Sequence, residues 1–527
     1  MKLSVKLLKE DYNVSNSLKD NHGLTESVWQ VNNNIKLYTE DKLSGESSWK
    51  NFINEGVETP VFKLSSSISS ALLFVPVENN MLVLTFGMGF SKLKENCYVK
   101  DFGLKVVLNS VEHDTIKSLD LKTHDEITVN KRVQTSKKSD VSAFGVDTER
   151  DMLKEITGTP INSDFAKELT GKHSLTISCD IELNEISSKC EEIYEAYTNG
   201  GYETHFKWID NIRAVEDKDI ILNLDNKLFE DLNDSITNDN KIDLHLSPPD
   251  IINYSTFGSI IYKGFRSRNE FDIIDLDDYI SELKRLSVDL DDINTIKNHR
   301  IAEKIEDNNY DRWRIYDCFV YETEYDSNKY VLTDGQWYSI DQSLVIEVED
   351  YLSKIPLNKL VLPDAKKNDN EQKYNADLTT SHSSSMICFD TKNIRITGWS
   401  SPIEPCDFFS NNLQFIHIKD EAASSKLSHL FNQGLVSAEA YLREQEFRTK
   451  FRDKARGMNS TIASLIPNAR TKPERDKFEV VYAVMRKPYK NGTYGLPFFS
   501  KVTLKNSTKR LEDLGYKVSF SWIKKIL

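Results

Sequence analysis

The apolar residues of this chain come in short runs broken by polar turns, and none approaches the roughly 18 residues that a membrane-crossing helix needs. Such a chain has to bury its apolar groups by packing strands and amphipathic helices on one another. Ala71 to Val77 and Met81 to Phe86, separated by Glu78-Asn79-Asn80, predict a β-hairpin, and Leu104 to Leu108 a further strand. Between Asp147 and Thr157, Met152, Leu153 and Ile156 share a face at helical spacing, so a helix is expected there, stopping at Gly158 ahead of Pro160. Trp313 to Glu324, Lys329 to Leu332 and Gln336 to Ile340 predict a meander turning at Asp326-Ser327-Asn328 and Asp334-Gly335. Leu344, Val345, Val348, Leu352 and Ile355 then recur at helical spacing over Ser343 to Ile355. The expected fold class is mixed α/β (α+β).

With 39% hydrophobic residues in 527, the chain can fill two or three cores, and no period of about 20 to 50 residues suggests a solenoid or propeller. Glu230 to Asp250 is polar, rich in Asn and Asp, and ends on Pro248-Pro249-Asp250. It has the composition of a linker. The expected division is a mixed α/β domain at 1–229 that senses a target or partner, a linker at 230–250, a meander and helix at 251–355, and a last domain at 356–527.

The formal charge, 68 Lys and Arg against 82 Asp and Glu, is −14 and conceals an asymmetry. Residues 417–527 hold 22 Lys and Arg against 11 Asp and Glu, a net +11, which leaves −25 for residues 1–416. A basic lobe of this kind either meets a polyanion or docks on an acidic body. The six cysteines form no C-x-x-C pair, which removes zinc-knuckle and thioredoxin-like readings; they are expected to be reduced thiols of a cytoplasmic protein. The opening MKLSVKLLKEDYN turns charged too soon for a secretory segment.

Several motifs fail on inspection. Asp101-Phe102-Gly103 spells the metal-binding triplet of protein kinases, but neither a catalytic loop nor a glycine-rich strand-turn accompanies it. Gly171-Lys172-His173-Ser174 lacks the earlier glycine of a phosphate loop. Gly87 and Gly89 suit a turn after a strand, since no third glycine follows. Lys131, Arg132, Lys137 and Lys138 form a basic cluster that either meets phosphates or is solvated.

The most informative stretch begins at Glu371. A short helix (EQKYNADL) is followed by strands at Met386 to Phe389, Ile403 to Phe409 and Gln414 to Lys419, a helix at Lys426 to Leu442 and a strand at Phe478 to Met485, the order αβββαβ. In the third strand Phe415, His417 and Lys419 face one way and Ile416 and Ile418 the other. On the second helix Leu427, Leu430, Phe431, Gly434, Leu435, Ala438, Tyr441 and Leu442 make an apolar stripe able to cover a sheet, with Gln433 beside it.

This order resembles the PD-(D/E)xK nuclease fold, a restriction-endonuclease-like core. The matching positions are Glu371 on the first helix, Asp407 on the second strand, His417-Ile418-Lys419 on the third, and Gln433 on the following helix. The resemblance implies Mg²⁺ or Mn²⁺ held by Asp407 and Glu371, with His417 as ligand or general base and Lys419 stabilising charge. Where that fold carries an acid this chain has His417, a poorer partner for hard Mg²⁺. Glu404 is a substitute ligand, although on a regular strand it faces away from Asp407 unless Pro405 marks a bulge or edge.

Over nearly its whole length the chain also resembles an uncharacterised, sporadically distributed prokaryotic family found in mobile and restriction-modification islands. The likeness is carried by DFGLKVVLNS (101–110), FGVDTERDMLKEITGTP (144–160), YVLTDGQWYSID (330–341), EPCDFF (404–409), FIHIK (415–419), KLSHLFNQGLVSA (426–438) and LPFFSKVTL (496–504). It implies a part in antiphage defence. The expected activity is a metal-dependent nuclease acting on foreign nucleic acid, DNA favoured over RNA, with a defence-system protein as partner and no membrane. The alternative is a non-catalytic sensor or adaptor that binds nucleic acid or protein, in which His417 records a lost metal site.

Overall fold

A computed structural model of the chain describes residues 1–27, 32, 34–43, 67–125, 128–238, 244–305, 308–360, 362–366, 369–420, 424–486 and 496–526. They form two units, Met1–Lys122 with Asn130–Ile209, and Thr123–Val129 with Asp210–Leu527. The architecture is mixed α/β throughout.

In the first unit turn chemistry sets the long hairpin. Ser67–Val77 pairs with Asn80–Gly87 through Val77 opposite Asn80, and the tight turn holds Glu78 at φ 52°. These strands lie within a ten-stranded sheet in the spatial order Thr25–Ser27, Lys36–Leu43, Ser67–Val77, Asn80–Gly87, Lys2–Leu7, Leu175–Ser178, Glu168–Gly171, Asp151–Pro160, Val111–Thr123, Val129–Ser139. Two local expectations are reversed. Residues 104–108 lie in a helix, Phe102–Ser110. Its backbone meets the sheet so closely that a Cβ at Gly171 would stand 2.1 Å from the Gly103 carbonyl oxygen, and that docking overrides the strand preference of Val106 and Val107. The helix expected around 147–157 is a strand, Asp151–Pro160, whose Ile156, Thr157 and Gly158 pair with Gly171, Thr170 and Leu169. A waiting sheet neighbour outweighs helical spacing that spans only three apolar residues.

The rejected motifs have structural explanations here. Asp101 stands ahead of the helix and pairs with Lys105, and Lys172 and His173 turn a hairpin between Glu168–Gly171 and Leu175–Ser178. In the basic cluster Arg132 is held by Asp120 and Lys131 reaches Asp151 at 3.6 Å.

In the second unit, residues 230–238 of the expected linker belong to the helix Lys218–Asn238. Leu224, Leu228 and Leu232 are buried along one face, and the buried Asp225 accepts from Tyr316 Oη at 2.5 Å, Trp337 Nε1 at 2.8 Å and Lys297 Nζ at 2.5 Å. Such anchoring is incompatible with a free linker, and the units divide at Ile209 instead. The meander forms as Phe319–Tyr325, Asn328–Thr333 and Gln336–Ile340, turning on positive-φ Asp326-Ser327 and Asp334-Gly335. Residues 313–318, expected to extend its first strand, end the strand Asn308–Arg314 and form the helical turn Ile315–Cys318. Asp341 caps the following helix, Gln342–Leu352.

The last sheet has six strands in the order Ala365–Lys366, Lys517–Ile526, Glu479–Arg486, Gln414–Asp420, Phe408–Ser410, Met386–Cys388. Gln414–Asp420, Glu479–Arg486 and Lys517–Ile526 run parallel, joined through the helices Ser424–Arg443 and Phe498–Asp513. Successive right-handed crossovers in one direction put both helices on one face. The helix Glu371–Ser381 packs Tyr374 and Leu378 with Ile416 and Ile418 on the other. The expected element order α, β, β, β, α, β is present, with two further helices, Gln445–Met458 and Ser460–Leu465, ahead of the fourth strand.

Candidate metal centre

The strand expected over Ile403 to Phe409 is only Phe408–Ser410; Ile403 makes a separate bridge to Ile394, and Pro405 lies in the irregular run between them. That break frees Glu404 from strand alternation. Glu404, Asp407 and Asp390 bring one carboxylate oxygen each to within 4.8 Å of one another. Asp390 follows the strand Met386–Cys388, which runs in the same direction as Gln414–Asp420, and Asp407 immediately precedes the antiparallel strand between them. The cluster therefore stands at the carboxyl ends of these strands, where open α/β sheets place their ligands.

Hydrogen bonds hold each acid. Asp407 accepts from the Ile418 N–H at 2.7 Å, and Glu404 from the Thr391 N–H at 2.7 Å. The buried Asn375 donates from Nδ2 to Asp407 at 3.2 Å and to Asp390 at 3.1 Å, spanning the two, while its Oδ1 has no hydrogen-bond partner among the described residues. At the start of the same helix Glu371 meets Lys419, with Nζ 3.1 Å from Oε2.

Burial pushes the Asp407 carboxyl well above the usual carboxylate range; the Ile418 N–H opposes this, and the negative charges of Glu371, Glu404 and Asp390 add to it. Burial likewise raises Glu404. Several acids crowded into a half-buried site repel one another, and a divalent cation is the natural compensation. The donor set is all oxygen, as hard cations require, and the orphaned Asn375 Oδ1 is a further acceptor for a water or ion there. These residues fit a metal ion.

The sequence-derived set thus separates. Asp407, Glu404, Glu371 and Lys419 lie together. His417 does not join them. Its strand face is the one covered by the helix Ser424–Arg443, so the imidazole is 2% exposed, with Nε2 3.4 Å from Ser437 Oγ and its ring beside Tyr482. Burial pushes it down to about 3, leaving a neutral core side chain, neither ligand nor base. Gln433, on that same covering helix, is half-buried and makes no hydrogen bond to the acids. Asp390 and Asn375 were not anticipated. Asn375 follows Glu371 by four, one helical turn along the same face, and Asp390 sits at the end of a strand, which is the signal each one carried.

The fold and site define a mixed α/β protein whose last sheet carries a carboxylate cluster able to hold a metal ion. Residues 3–524 match a family of unknown function, DUF6119, and the chain belongs to that family. No curated protein and no solved structure matches it. Among the described residues no helix is long and apolar enough to cross a membrane.

Proposed function

We propose that the chain is a metal-dependent phosphodiesterase of the nuclease type, acting on foreign nucleic acid in a defence setting, with Asp390, Glu404 and Asp407 holding Mg²⁺ or Mn²⁺. The observation that carries this reading is the approach of those three carboxylates to within 4.8 Å of one another, beside the Glu371–Lys419 pair. A divalent ion supplies charge to polarise a phosphoryl oxygen and to acidify a water. The chain's own residues do the rest. Lys419 places an ammonium where charge gathers on the phosphoryl oxygens, and Glu371 holds it there. Asn375 fixes the spacing of Asp407 and Asp390, and the Ile418 N–H fixes the rotamer of Asp407. The αβββαβ order and the likeness to a family of restriction-modification islands support the substrate class and the setting. The alternative is a non-catalytic sensor or adaptor in which the same sheet only binds nucleic acid or protein, and cleavage separates the two.

The test incubates the purified chain with plasmid, single-stranded DNA and RNA in Mg²⁺ or Mn²⁺, beside Asp407→Asn and Lys419→Ala. Cleavage that falls at least about a hundredfold in both variants is expected, the usual loss when a group stabilising charge in the transition state is removed. Wild-type protein that cuts nothing in either metal, or cleavage that both variants keep, overturns the reading.

A further inference from the structure

The segment between the two acids Asp390 and Glu404 is a loop with its own architecture. Thr391 turns at φ 62°, Ile394 and Ile403 pair through hydrogen bonds of 2.7 and 2.8 Å, and Gly398 at φ 85° makes the tip. At that tip Trp399 is 38% exposed, a large aromatic on a solvent-facing loop. It lies at most about 17 Å along the chain from Ile394, so the loop projects from the acids but stays near them.

The loop is tied to the helix Gln445–Met458. Glu446 accepts from the Thr397 N–H at 3.1 Å and its hydroxyl at 3.2 Å, and Lys450 donates to the Arg395 carbonyl at 2.9 Å. One helical turn separates these contacts, while the loop steps back from 397 to 395. Lys454, a further turn on, therefore extends the same face toward the loop's base and Asp390. Phe451 stacks on Phe389, next to Asp390, with ring centroids 4.6 Å apart, which fixes that register. Lys392, Arg395 and Lys454 form no ion pair among the described residues, and Arg395 and Lys454 are exposed. Unpaired cations lead from the exposed tryptophan toward a group of carboxylates.

We infer that this loop and helix form a binding rim for single-stranded nucleic acid, with Trp399 stacking on an unpaired base and Lys392, Arg395 and Lys454 holding the backbone that leads to the acids. This rests on the phosphodiesterase reading and names its substrate class. A lone tip indole needs a base whose face is open, which a duplex does not offer, whereas in a single strand every base has a free face. Flexible backbone can also pass through a short track of cations into a site at a sheet edge.

The full chain in EDTA is titrated onto fluorescein-labelled oligothymidine, an RNA oligonucleotide of the same length and a hairpin duplex, with anisotropy as the readout. Both single strands are expected to bind more tightly than the duplex. Trp399→Ala is expected to weaken single strands roughly tenfold and leave the duplex nearly unchanged, while Trp399→Phe retains most of the affinity. Arg395→Ala is expected to weaken all three. Equal single-strand binding by wild type and Trp399→Ala, tighter binding of the duplex, or no binding at low salt overturns the rim, whatever the cleavage result. Trp399-dependent binding by a wild type that cuts nothing in Mg²⁺ or Mn²⁺ overturns the hydrolase alone.

Discussion

At the scale of single residues His417 carries the most instructive chemistry. It shares strand parity with Lys419, yet one is sealed in a core and the other is paired with Glu371 at the strand's end. In the folded chain the imidazole is pushed down to about 3, from an ordinary 6.5. Between those values the unfolded chain binds a proton there that the folded chain does not, so its stabilising contribution is complete above about pH 6.5 and is lost as the pH falls. The slope is about 1.4 kcal/mol per pH unit. His299, pushed down to about 4 by burial, acts in the same sense, so only a difference between wild type and variant isolates His417. His417→Leu should therefore narrow its stability gap to wild type by about 1.3 kcal/mol between pH 7 and pH 5.5 in urea unfolding, and should leave Mn²⁺ binding unchanged. A gap that does not move with pH, or loss of Mn²⁺ binding with the fold retained, would contradict the placement of His417 away from the acids.

At the scale of elements, the helix Ser424–Arg443 is held at its distance from the sheet by one missing side chain. A Cβ on Gly434 would stand 2.5 Å from Tyr482 Cε1, and Tyr482 is fully buried with its hydroxyl donating to the Phe431 carbonyl at 2.8 Å. Alanine in a helix interior is ordinarily worth about 1 kcal/mol over glycine. Here the ring has no room to move, and overpacking of about 1–3 kcal/mol should win. Gly434→Ala is expected to lower stability, with a reduced urea midpoint at an unchanged slope as the check; a midpoint equal to or above wild type overturns the packing account. The same contact explains what could be read in advance. The apolar stripe Leu427, Leu430, Phe431, Leu435 and Ala438 announced a helix that covers a sheet, and the two turns of the meander were legible because Asp326 and Asp334-Gly335 suit positive φ. Period-two alternation put His417 on one face without saying that this face is the covered one; the right-handed crossover decides that, and it lies outside any local pattern. Asp407, Glu371 and Lys419 could be picked out because element order brings them to one end, and Glu404 because Pro405 beside it marks a break in the strand. Asp390 carried only its place at a strand's end, and the folding back of residues 391–403 is what sets it against Glu404. Residues 104–108 and 151–160 changed class for a related reason, the close docking of Gly103 on Gly171 and a strand partner supplied by residues 168–171.

At the scale of the whole molecule, charge is distributed in a way that net figures hide. A chain of −14 should be repelled by polyanions at neutral pH, yet residues 417–527 carry +11 against −25 elsewhere. Some of that positive charge is consumed internally: Lys501 and Lys505 are buried and paired with Glu349 and Glu347, and Lys525 with Asp420. What remains on the helix Gln445–Met458 and after it includes Lys454, Arg470 and Lys472, which make no ion pair among the described residues. A phosphate backbone that meets such a track releases its condensed counterions, and affinity for a single strand falls with log salt by about 0.7 per phosphate neutralised. Two or three neutralised phosphates predict a slope of about −1.4 to −2.1 in log affinity against log salt, so raising NaCl from 50 to 200 mM should weaken single-strand binding by roughly 7- to 18-fold. The long-range repulsion from residues 1–416 is screened over the same range, about a 10 Å Debye length at 0.1 M, and pulls the other way. The measured slope is therefore expected to be shallower than the phosphate count alone gives, and Lys454→Ala should flatten it by a further 0.7. A slope of zero, or binding that strengthens with salt, would mean that the acidic body governs the encounter and that the basic lobe is only its internal counterweight.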